Sequence, residues 1–226
     1  MKFDITRSWG RPSSFRVKSV ISQFTLDEVK LEKRFRGSID IENTDWQVGV
    51  VVGRSGTGKT TIAKQLFPEA YIRGFTYLEA SILDDFPESL GTAEITRALS
   101  SVGFSSPPEW LKSYEQLSQG EKMRVDIARA LLLEEPVIVF DEFTSVVDRE
   151  VAKVSSLAIQ KAVRRTGKKF IAVTCHYDVV DYLEPDWVLC TDDMSFTKKK
   201  LDTLPSPSRS GPAAQVSGPT LKTITI

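Results

Sequence analysis

An α/β fold with a mainly parallel sheet is predicted by the way apolar, strand-like segments alternate with helical segments along this chain. The mostly apolar runs Gln47 to Val52 and VIVF at 137–140 have the composition of strands that are buried on both faces of a sheet. Phe170 to Thr174 and Trp187 to Cys190 predict two more strands. A chain of 226 residues buries roughly 70% of its unfolded surface, which is enough for one such domain with a small additional lobe.

The amino-terminal segment from Phe3 to Ile41 is predicted to be an antiparallel β lobe. It contains three short extended pieces, FDIT, RVKSVISQF and EKRFRGSIDI, with partial alternation and no sustained helical period. After the first sheet strand, a helix is expected to begin at Lys59 and to stop near Phe67, because Pro68 disfavours helical geometry in the residue before it.

A short helical lobe, at about residues 80–135, is predicted to be inserted into this domain. Thr92 is the expected N-cap of one helix, which Gly103 would close in a left-handed conformation. A second short helix is expected to start with the two prolines after Ser106, and a third to end before Pro136. The whole domain is predicted to span residues 1–202.

Residues 203–226 are predicted to form a flexible tail or linker. Four prolines occur there among serines and glycines, and such a composition does not build a packed core. The closing LKTITI alternates and would fit one edge strand.

Composition argues against several classes of partner and location. Lys plus Arg and Asp plus Glu both number 30, so a nucleic acid or an anionic membrane would have to be bound by a local patch. Cys175 and Cys190 form no C-x-x-C pair, which predicts a reducing, cytoplasmic compartment. No run approaches the roughly 18 apolar residues of a membrane span and the start lacks a secretion signal, so no direct membrane insertion is expected.

The segment GRSGTGKT, at residues 53–60, has the pattern of a phosphate-binding loop. Gly53, Gly56 and Gly58 allow a tight turn, so that backbone N–H groups converge at the start of the following helix, where the helix dipole adds positive potential. Lys59 would reach the β and γ phosphates, and the Thr60 hydroxyl would ligate Mg²⁺. The alternative, a glycine-rich turn with a surface lysine, is weakened by the strand before it and the helix after it.

Two acidic residues end the segment VIVFDE, at 137–142. Asp141 and Glu142 are predicted to lie at the carboxyl end of a strand next to the phosphate-loop strand, which is where ligands bind in open α/β sheets. Asp141 would hold Mg²⁺ largely through water, and Glu142 would orient and deprotonate the attacking water. A solvated acidic turn after a core strand is the alternative.

His176 is the only histidine, and it follows the apolar strand FIAVTC. A neutral imidazole at the carboxyl end of a strand can donate to a phosphate oxygen bound at the same sheet edge. A satisfied structural histidine at a strand end is the alternative.

A second anion-binding helix start is predicted at LSQGE, residues 117–121. Ser118 and Glu121 have the spacing of a capping box, and Gly120 lies beside them. The N-terminus of the helix carries partial positive charge. Taken alone, the same pattern describes an ordinary helix cap.

In this order the motifs resemble those of the ABC-type ATPases, over about residues 15–195. GRSGTGKT resembles their Walker A motif, LSQGEKMRVDIARALL the signature motif with its helix, and VIVFDE Walker B with the catalytic glutamate. SVVD, ending at Asp148, resembles the D-loop, and VTCH the switch-histidine segment. The resemblance implies a P-loop NTPase domain, with ATP and Mg²⁺ as the bound groups.

The resemblance also implies a head-to-tail homodimer with two ATP molecules at the interface. Each ATP would be held by Walker A of one protomer and by the signature of the other. Phe24 is the candidate for stacking on adenine, and a core position in the β lobe is the alternative reading for it. The other implied nucleotide contacts are Gly53, Ser55, Gly56, Gly58, Lys59, Thr60, Thr61, Ser118, Gly120 and Asp148.

Two departures from the family pattern stand out. The family carries a glutamine between the sheet and the helical lobe, whereas this chain has SILDDFP, with Asp84 or Asp85 nearest the expected place. The lobe is also short, which leaves less surface for gripping a membrane domain and no room for a long coiled-coil insertion.

Three functions therefore compete. The first is a soluble ABC-type ATPase resembling the stand-alone proteins of bacterial viruses and mobile elements, driving an unknown protein partner. The second is the ATP-binding subunit of a membrane transporter, and the third is a nucleotide-gated interaction module in DNA maintenance or defence. A weakly supported nucleic-acid contact would use a basic cluster, which is Lys161, Arg164, Arg165, Lys168 and Lys169.

Overall fold

The computed structural model describes residues 1–8, 13–24, 32–72 and 74–199. The predicted tail, including LKTITI, lies outside the described residues. In chain order the elements are β1 (Lys2–Ser8), α1 (Phe15–Gln23), β2 (Glu32–Ser38), β3 (Val48–Val52), α2 (Lys59–Leu66), α3 (Thr92–Ser101), α4 (Pro107–Trp110), a 3-10 turn (Tyr114–Gln116), α5 (Gln119–Leu132), β4 (Val137–Phe140), α6 (Arg149–Thr166), β5 (Lys169–Thr174), α7 (Val179–Leu183), β6 (Trp187–Cys190) and β7 (Ser195–Lys198).

The main sheet has the strand order β4-β5-β3-β6-β7. The first four of these strands are parallel, as predicted, and β7 adds an antiparallel edge that the sequence analysis did not anticipate. The expectation that Asp141 follows a strand next to the phosphate-loop strand is wrong, because β5 lies between β4 and β3. All three strands nevertheless end at the same edge of the sheet.

The amino-terminal lobe is only partly the predicted β structure. β1 and β2 form an antiparallel pair, but RVKSVISQF is helical and belongs to α1. Ser14 caps this helix by accepting a hydrogen bond from the Val17 N–H, at 3.4 Å. The apolar residues of the segment recur at i, i+3, i+4 and i+7, a helical period that the partial alternation had obscured; they are Val17, Val20, Ile21 and Phe24.

Strand β3 is fully buried and separates two hydrophobic clusters. Val48, Val50 and Val52 belong to the cluster formed with the helical lobe and α6, whereas Val51 belongs to the cluster formed with α2 and the β lobe. This alternation is the period of two that a strand imposes on its side chains. The sheet therefore holds the loops at its carboxyl edge from both faces.

Trp187 of β6 depends on the absence of a side chain at Gly49 of β3. A Cβ atom built at Gly49 would lie 2.1 Å from the Trp187 ring, far inside van der Waals contact. The indole is fully buried and packs edge-on against Trp46, with ring centroids 5.4 Å apart. Gly49 thus fixes how closely these neighbouring parallel strands and their aromatic cluster pack.

The helical lobe largely follows the prediction. Its first helix begins one residue away from the expected cap, because Gly91 rather than Thr92 is the N-cap, and Gly103 has the expected left-handed backbone with φ of 85°. The last helix, α5, ends at Leu132, before Pro136. Within the four described ranges, no helix combines the length and apolarity needed to cross a bilayer.

Two stacked tyrosines are hydrogen-bonded to helix α5. The ring centroids of Tyr77 and Tyr114 lie 3.8 Å apart, and the two ring planes are nearly parallel. Their hydroxyls donate to the two carboxylate oxygens of Asp126, at 2.7 and 2.9 Å. Burial raises the pKa of Asp126, and the two tyrosine hydrogen bonds only partly offset this effect. The carboxylate thus joins two loop segments to the middle of α5.

We predict that Gly49→Ala lowers the free energy of unfolding by about 1–3 kcal/mol, the usual cost of overpacking a core, because the Trp187 ring must move. Urea denaturation of the purified protein measures this change. Gly91→Ala is the matched control, since a Cβ there meets nothing within 4 Å, and we expect it to cost less than about 1 kcal/mol. Equal losses in the two variants would contradict the packing explanation.

Candidate nucleotide-binding and hydrolysis site

The glycine-rich loop between β3 and α2 has the curled shape of an anion-binding turn. Gly56 and Gly58 adopt positive φ values of 78° and 95°, where glycine is favoured. A Cβ at Gly58 would also lie 2.3 Å from the buried Phe35 ring of β2. Because Gly58 is the N-cap of α2 and has no side chain, it leaves the amides of the first helical turn available to a ligand.

Two lysine side chains donate hydrogen bonds to backbone carbonyl groups of this loop. Lys59 donates to the Arg54 carbonyl at 2.9 Å, and Lys33 of β2 donates to the Gly56 carbonyl at 2.5 Å. Ser55 is exposed on the loop, and Thr61 lies half-buried in the first turn of α2. Lys33 was not predicted, because nothing in its local sequence indicates that β2 runs beside the loop.

The two predicted metal ligands meet directly. The Thr60 hydroxyl donates to Asp141 Oδ2 at 2.9 Å, although their strands are separated by β5. A hydroxyl and a carboxylate are hard oxygen donors of the kind that Mg²⁺ prefers, and the phosphates of a nucleotide would supply the rest of its coordination. The donor set therefore fits the predicted Mg²⁺ site.

Tyr71 is a member of this cluster that sequence reasoning missed. Its hydroxyl donates to the same Asp141 Oδ2, and burial together with this hydrogen bond raises the Tyr71 pKa above its usual value. Tyr71 forms an isolated parallel bridge with Val139 of β4, which brings it beside Asp141. Only this non-local pairing identifies it, since the chain around it carries no motif.

Glu142 is held by the loop that follows β4. Its carboxylate accepts from the Ser145 hydroxyl at 2.6 Å, and its backbone N–H donates to Asp141 Oδ1 at 2.9 Å. Glu142 and Thr144 both have positive φ, which costs a non-glycine residue about 1–3 kcal/mol. The buried Phe143 between them anchors the turn. The exposed Glu142 side chain is thereby aimed by a strained, tightly packed backbone.

His176 lies at the end of β5, between the glycine-rich loop and the acidic turn. Its Nδ1 atom is 3.3 Å from the Thr144 hydroxyl and 3.0 Å from Nη1 of Arg149, the first residue of α6. The strand order therefore places this imidazole at the sheet edge shared by the predicted phosphate and metal ligands.

The predicted capping box at the start of α5 is present. Ser118 accepts from the Glu121 N–H at 3.4 Å, and the Glu121 carboxylate accepts from the Ser118 N–H at 2.8 Å. Gly120 is buried, and a Cβ there would lie 3.1 Å from the Val151 side chain of α6. Ser118 itself is exposed, and no hydrogen bond among the described residues joins it to the glycine-rich loop of its own chain.

Asp148 and Phe24 both have exposed side chains. Asp148 is exposed and caps α6 by accepting from the Val151 N–H at 2.9 Å. Phe24 is not at the end of a strand but is the C-cap of α1, and its side chain is 64% exposed, so it is not a core residue of the β lobe. Its contact with adenine stays a prediction.

The two aspartates near the missing glutamine have other positions. Asp85 Oδ1 accepts from the backbone N–H groups of Leu78 and Glu79, at 2.7 and 3.2 Å, and so closes its own loop. Asp84 is exposed. Neither aspartate is hydrogen-bonded to Thr60 or Asp141, whereas Tyr71 donates to Asp141.

Comparison with known proteins gives a consistent picture. The family model described as ABC transporter matches residues 73–145. The chain is 25% identical to the energy-coupling factor transporter ATP-binding protein EcfA1 of Leuconostoc mesenteroides, over 81% of this chain and 79% of that protein. It is also 25% identical to the ATP-dependent lipid A-core flippase of a Shewanella species, over 79% of this chain but only 37% of the flippase.

The fold matches a solved ATP-binding cassette. The dimeric structure of the cassette MJ0796 in a post-hydrolysis state, bound to ADP and Pi, superimposes with a TM-score of 0.58, over 87% of this chain and 97% of that one. Sequence identity to it is 14%, so this likeness concerns the fold. The match to the ABC transporter family model over residues 73–145, the similarity to an ATP-binding protein and the cassette fold all make this chain similar to the ATP-binding cassette ATPases, which hydrolyse ATP.

Proposed function

We propose that two copies of this chain bind Mg-ATP head to tail and hydrolyse it, and that closure and reopening of the dimer drive a protein partner. The proposal depends on two helix starts that are suited to bind anions, the exposed Ser118 cap of α5 and the glycine-rich loop before α2. No hydrogen bond within the described part of one chain joins them. A second copy provides the missing side of the site. The dimeric form of the structurally similar MJ0796 cassette supports this arrangement.

Each site residue then has a defined task. Lys59 exchanges the Arg54 carbonyl for the β and γ phosphates, and Thr60 and Asp141 are the residues that would hold Mg²⁺. When bound, the metal neutralises charge on the phosphates. Glu142 releases the Ser145 hydroxyl and accepts a proton from the attacking water, whose oxygen bonds to the γ-phosphorus while the bond to the β–γ bridging oxygen breaks and ADP leaves. His176 donates a hydrogen bond to a γ-phosphate oxygen. Ser118, Gly120 and Asp148 are the contacts that the partner protomer makes across the interface.

Two classes of partner remain in competition. A partner other than a transporter is favoured by the short lobe and by Asp85, which closes its own loop where the family carries a glutamine. A membrane transporter is favoured by the relatives, because EcfA1 and the flippase are transport proteins by name. Co-purification with a membrane-spanning subunit would decide for the second. In either case, two cysteines without a disulfide fit a cytoplasmic location.

The nucleotide-gated module that binds nucleic acid has the least support. Arg164 pairs with Asp186 at 3.2 Å, Lys168 donates to the Glu135 carbonyl at 3.0 Å, and Lys169 lies over the Trp46 ring. Three of the five basic residues are therefore engaged in intramolecular contacts, and the cluster is not an open cationic surface.

We predict that Glu142→Gln binds ATP but accumulates as a dimer, because the proton acceptor is removed while the phosphate contacts remain. Size-exclusion chromatography with light scattering, at saturating ATP and Mg²⁺, measures the dimer fraction. Turnover should fall by about 10² to 10⁴. Glu88→Gln, at an exposed position in the lobe, is the control and should behave as wild type. A Glu142→Gln protein that binds ATP and stays monomeric would contradict the shared site.

Catalysis across the interface predicts complementation between two inactive variants. In a heterodimer of Lys59→Ala and Ser118→Arg, one site has both an intact Lys59 and an intact Ser118. An equimolar mixture should therefore recover roughly a quarter of wild-type ATPase activity if the protomers exchange at random. A mixture of Lys59→Ala with Thr60→Ala is the control, since both its sites stay damaged. Activity equal to the sum of the separate variants in both mixtures would exclude sites formed in trans.

A further inference from the structure

We propose that Arg149, held by Asp178, fixes the tautomer of His176 so that the imidazole presents an Nε2–H group to the bound phosphate. Arg149 would be a positioning residue, acting through the histidine rather than on the nucleotide. The inference rests on the proposed function for the role of His176 in hydrolysis, but the tautomer itself is a property of the nucleotide-free protein.

The guanidinium of Arg149 is fixed in place before it reaches the histidine. Its Nη2 lies 2.6 Å from both carboxylate oxygens of Asp178, and its Nε lies 3.0 Å from Oδ2. Partial burial acts to raise the Asp178 pKa, but the hydrogen bonds and charge of Arg149 outweigh this effect and lower it. The carboxylate therefore stays charged at neutral pH, and the planar pairing directs the remaining Nη1 group at the imidazole.

The backbone on which Arg149 sits is also fixed. Arg149 is the first residue of α6, and Asp148 caps that helix through the Val151 N–H at 2.9 Å. Asp178 lies two residues after His176 in the loop that leaves β5. The contact is thus made between a capped helix start and the end of a buried strand, both of which are well-anchored elements.

The direction of the hydrogen bond follows from the inventory of donors. A guanidinium carries N–H donors and no acceptor, so at 3.0 Å the His176 Nδ1 atom accepts from Arg149 Nη1. A neutral imidazole has one N–H group and one bare nitrogen. With Nδ1 bare, the proton lies on Nε2. The Thr144 hydroxyl, 3.3 Å from the same Nδ1, can share that acceptor without changing the assignment.

This tautomer suits a phosphate ligand. Phosphate oxygens accept hydrogen bonds, so they need an N–H donor from the imidazole. In the opposite tautomer the proton lies on Nδ1, and the lone pair of Nε2 would face the phosphate. Two features of the sequence accompany this Asp178–Arg149–His176 chain of hydrogen bonds. They are an arginine directly after Asp148 and the H-x-D spacing of His176 and Asp178. Neither signal has an obvious role in the fold core, since Arg149 and Asp178 are each about 40% exposed.

The test uses the fact that His176 is the only histidine in the chain. Protein labelled with ¹⁵N in the histidine ring is studied by NMR without nucleotide, at a mildly alkaline pH at which an ordinary imidazole is neutral. The wild-type protein should show a bare Nδ1 and a protonated Nε2. Arg149→Ala should shift both ring nitrogens toward a mixture of tautomers, and Asp178→Asn should do so in part. Arg165→Ala, on the exposed part of the same helix, should leave the spectrum unchanged.

ATPase rates give a second arm. Arg149→Ala should lower kcat by about tenfold, which is a smaller decrease than we expect for His176→Ala. The imidazole is still present in Arg149→Ala, but only part of the molecules carry the Nε2–H donor. In the His176→Ala background, Arg149→Ala should cost nothing more, whereas a purely structural arginine would cost the same in both backgrounds.

The outcomes separate the two claims. Identical ring spectra for the wild type, Arg149→Ala and Asp178→Asn would overturn the inference, whatever the rates are. Changed spectra with additive ATPase losses would overturn the contribution of the tautomer to hydrolysis. If His176→Ala hydrolyses ATP at the wild-type rate, the proposed role of the histidine fails, while the spectra still decide the tautomer. Should Arg149→Ala fail to fold, Arg149→Met, which keeps the length of the side chain but has no N–H donor, and Asp178→Asn carry the same comparison.

Discussion

The hydrogen bond between Thr60 and Asp141 is the contact on which the arrangement of the site depends. It spans the end of β5, because the sheet places that strand between β3 and β4. Parallel strands deliver their following loops to one edge, and this bond holds the two outer loops together over the middle one. His176, which follows that middle strand, is thereby flanked in the strand order by the phosphate loop after β3 and the acidic turn after β4.

The polar groups of the site satisfy one another in this arrangement. Lys59 donates to a carbonyl of its own loop, Glu142 accepts from Ser145, and the Glu121 carboxylate accepts from the Ser118 hydroxyl. In the proposed function, binding of Mg-ATP would exchange internal hydrogen bonds for bonds to phosphate and metal, so its net free energy would be smaller than the sum of the new contacts. The same exchange would free the Glu142 carboxylate to accept a proton, which would link catalysis to occupation of the site.

Local signals allowed the sequence to predict most of the strands, the glycine-rich turn and the capping box. These features are determined within a few residues, by burial on both faces or by the spacing of Ser118 and Glu121. The strand order, the reach of Tyr71 to Asp141 and the engagement of Asp85 with its own loop depend on non-local packing, which no local pattern encodes. Helix α1 was misread for a different reason, because its four apolar residues have helical spacing over too few residues to be recognised as a sustained period.

Two tyrosines make aspartate contacts close to the segment in which the sequence analysis looked for the family glutamine. Tyr71 donates to Asp141 at the metal site, and Tyr77, six residues later, donates to Asp126 on α5. Helix α5 begins at the Ser118 cap, so the tyrosine-bearing stretch is attached both to the metal-ligand cluster and to the helix that carries the signature tip. Arg129 strengthens the second attachment by donating to the Thr76 carbonyl at 3.0 Å. Hydrogen bonds to aspartate thus attach Tyr71 to the predicted metal ligand and Tyr77 to the helix that begins at Ser118.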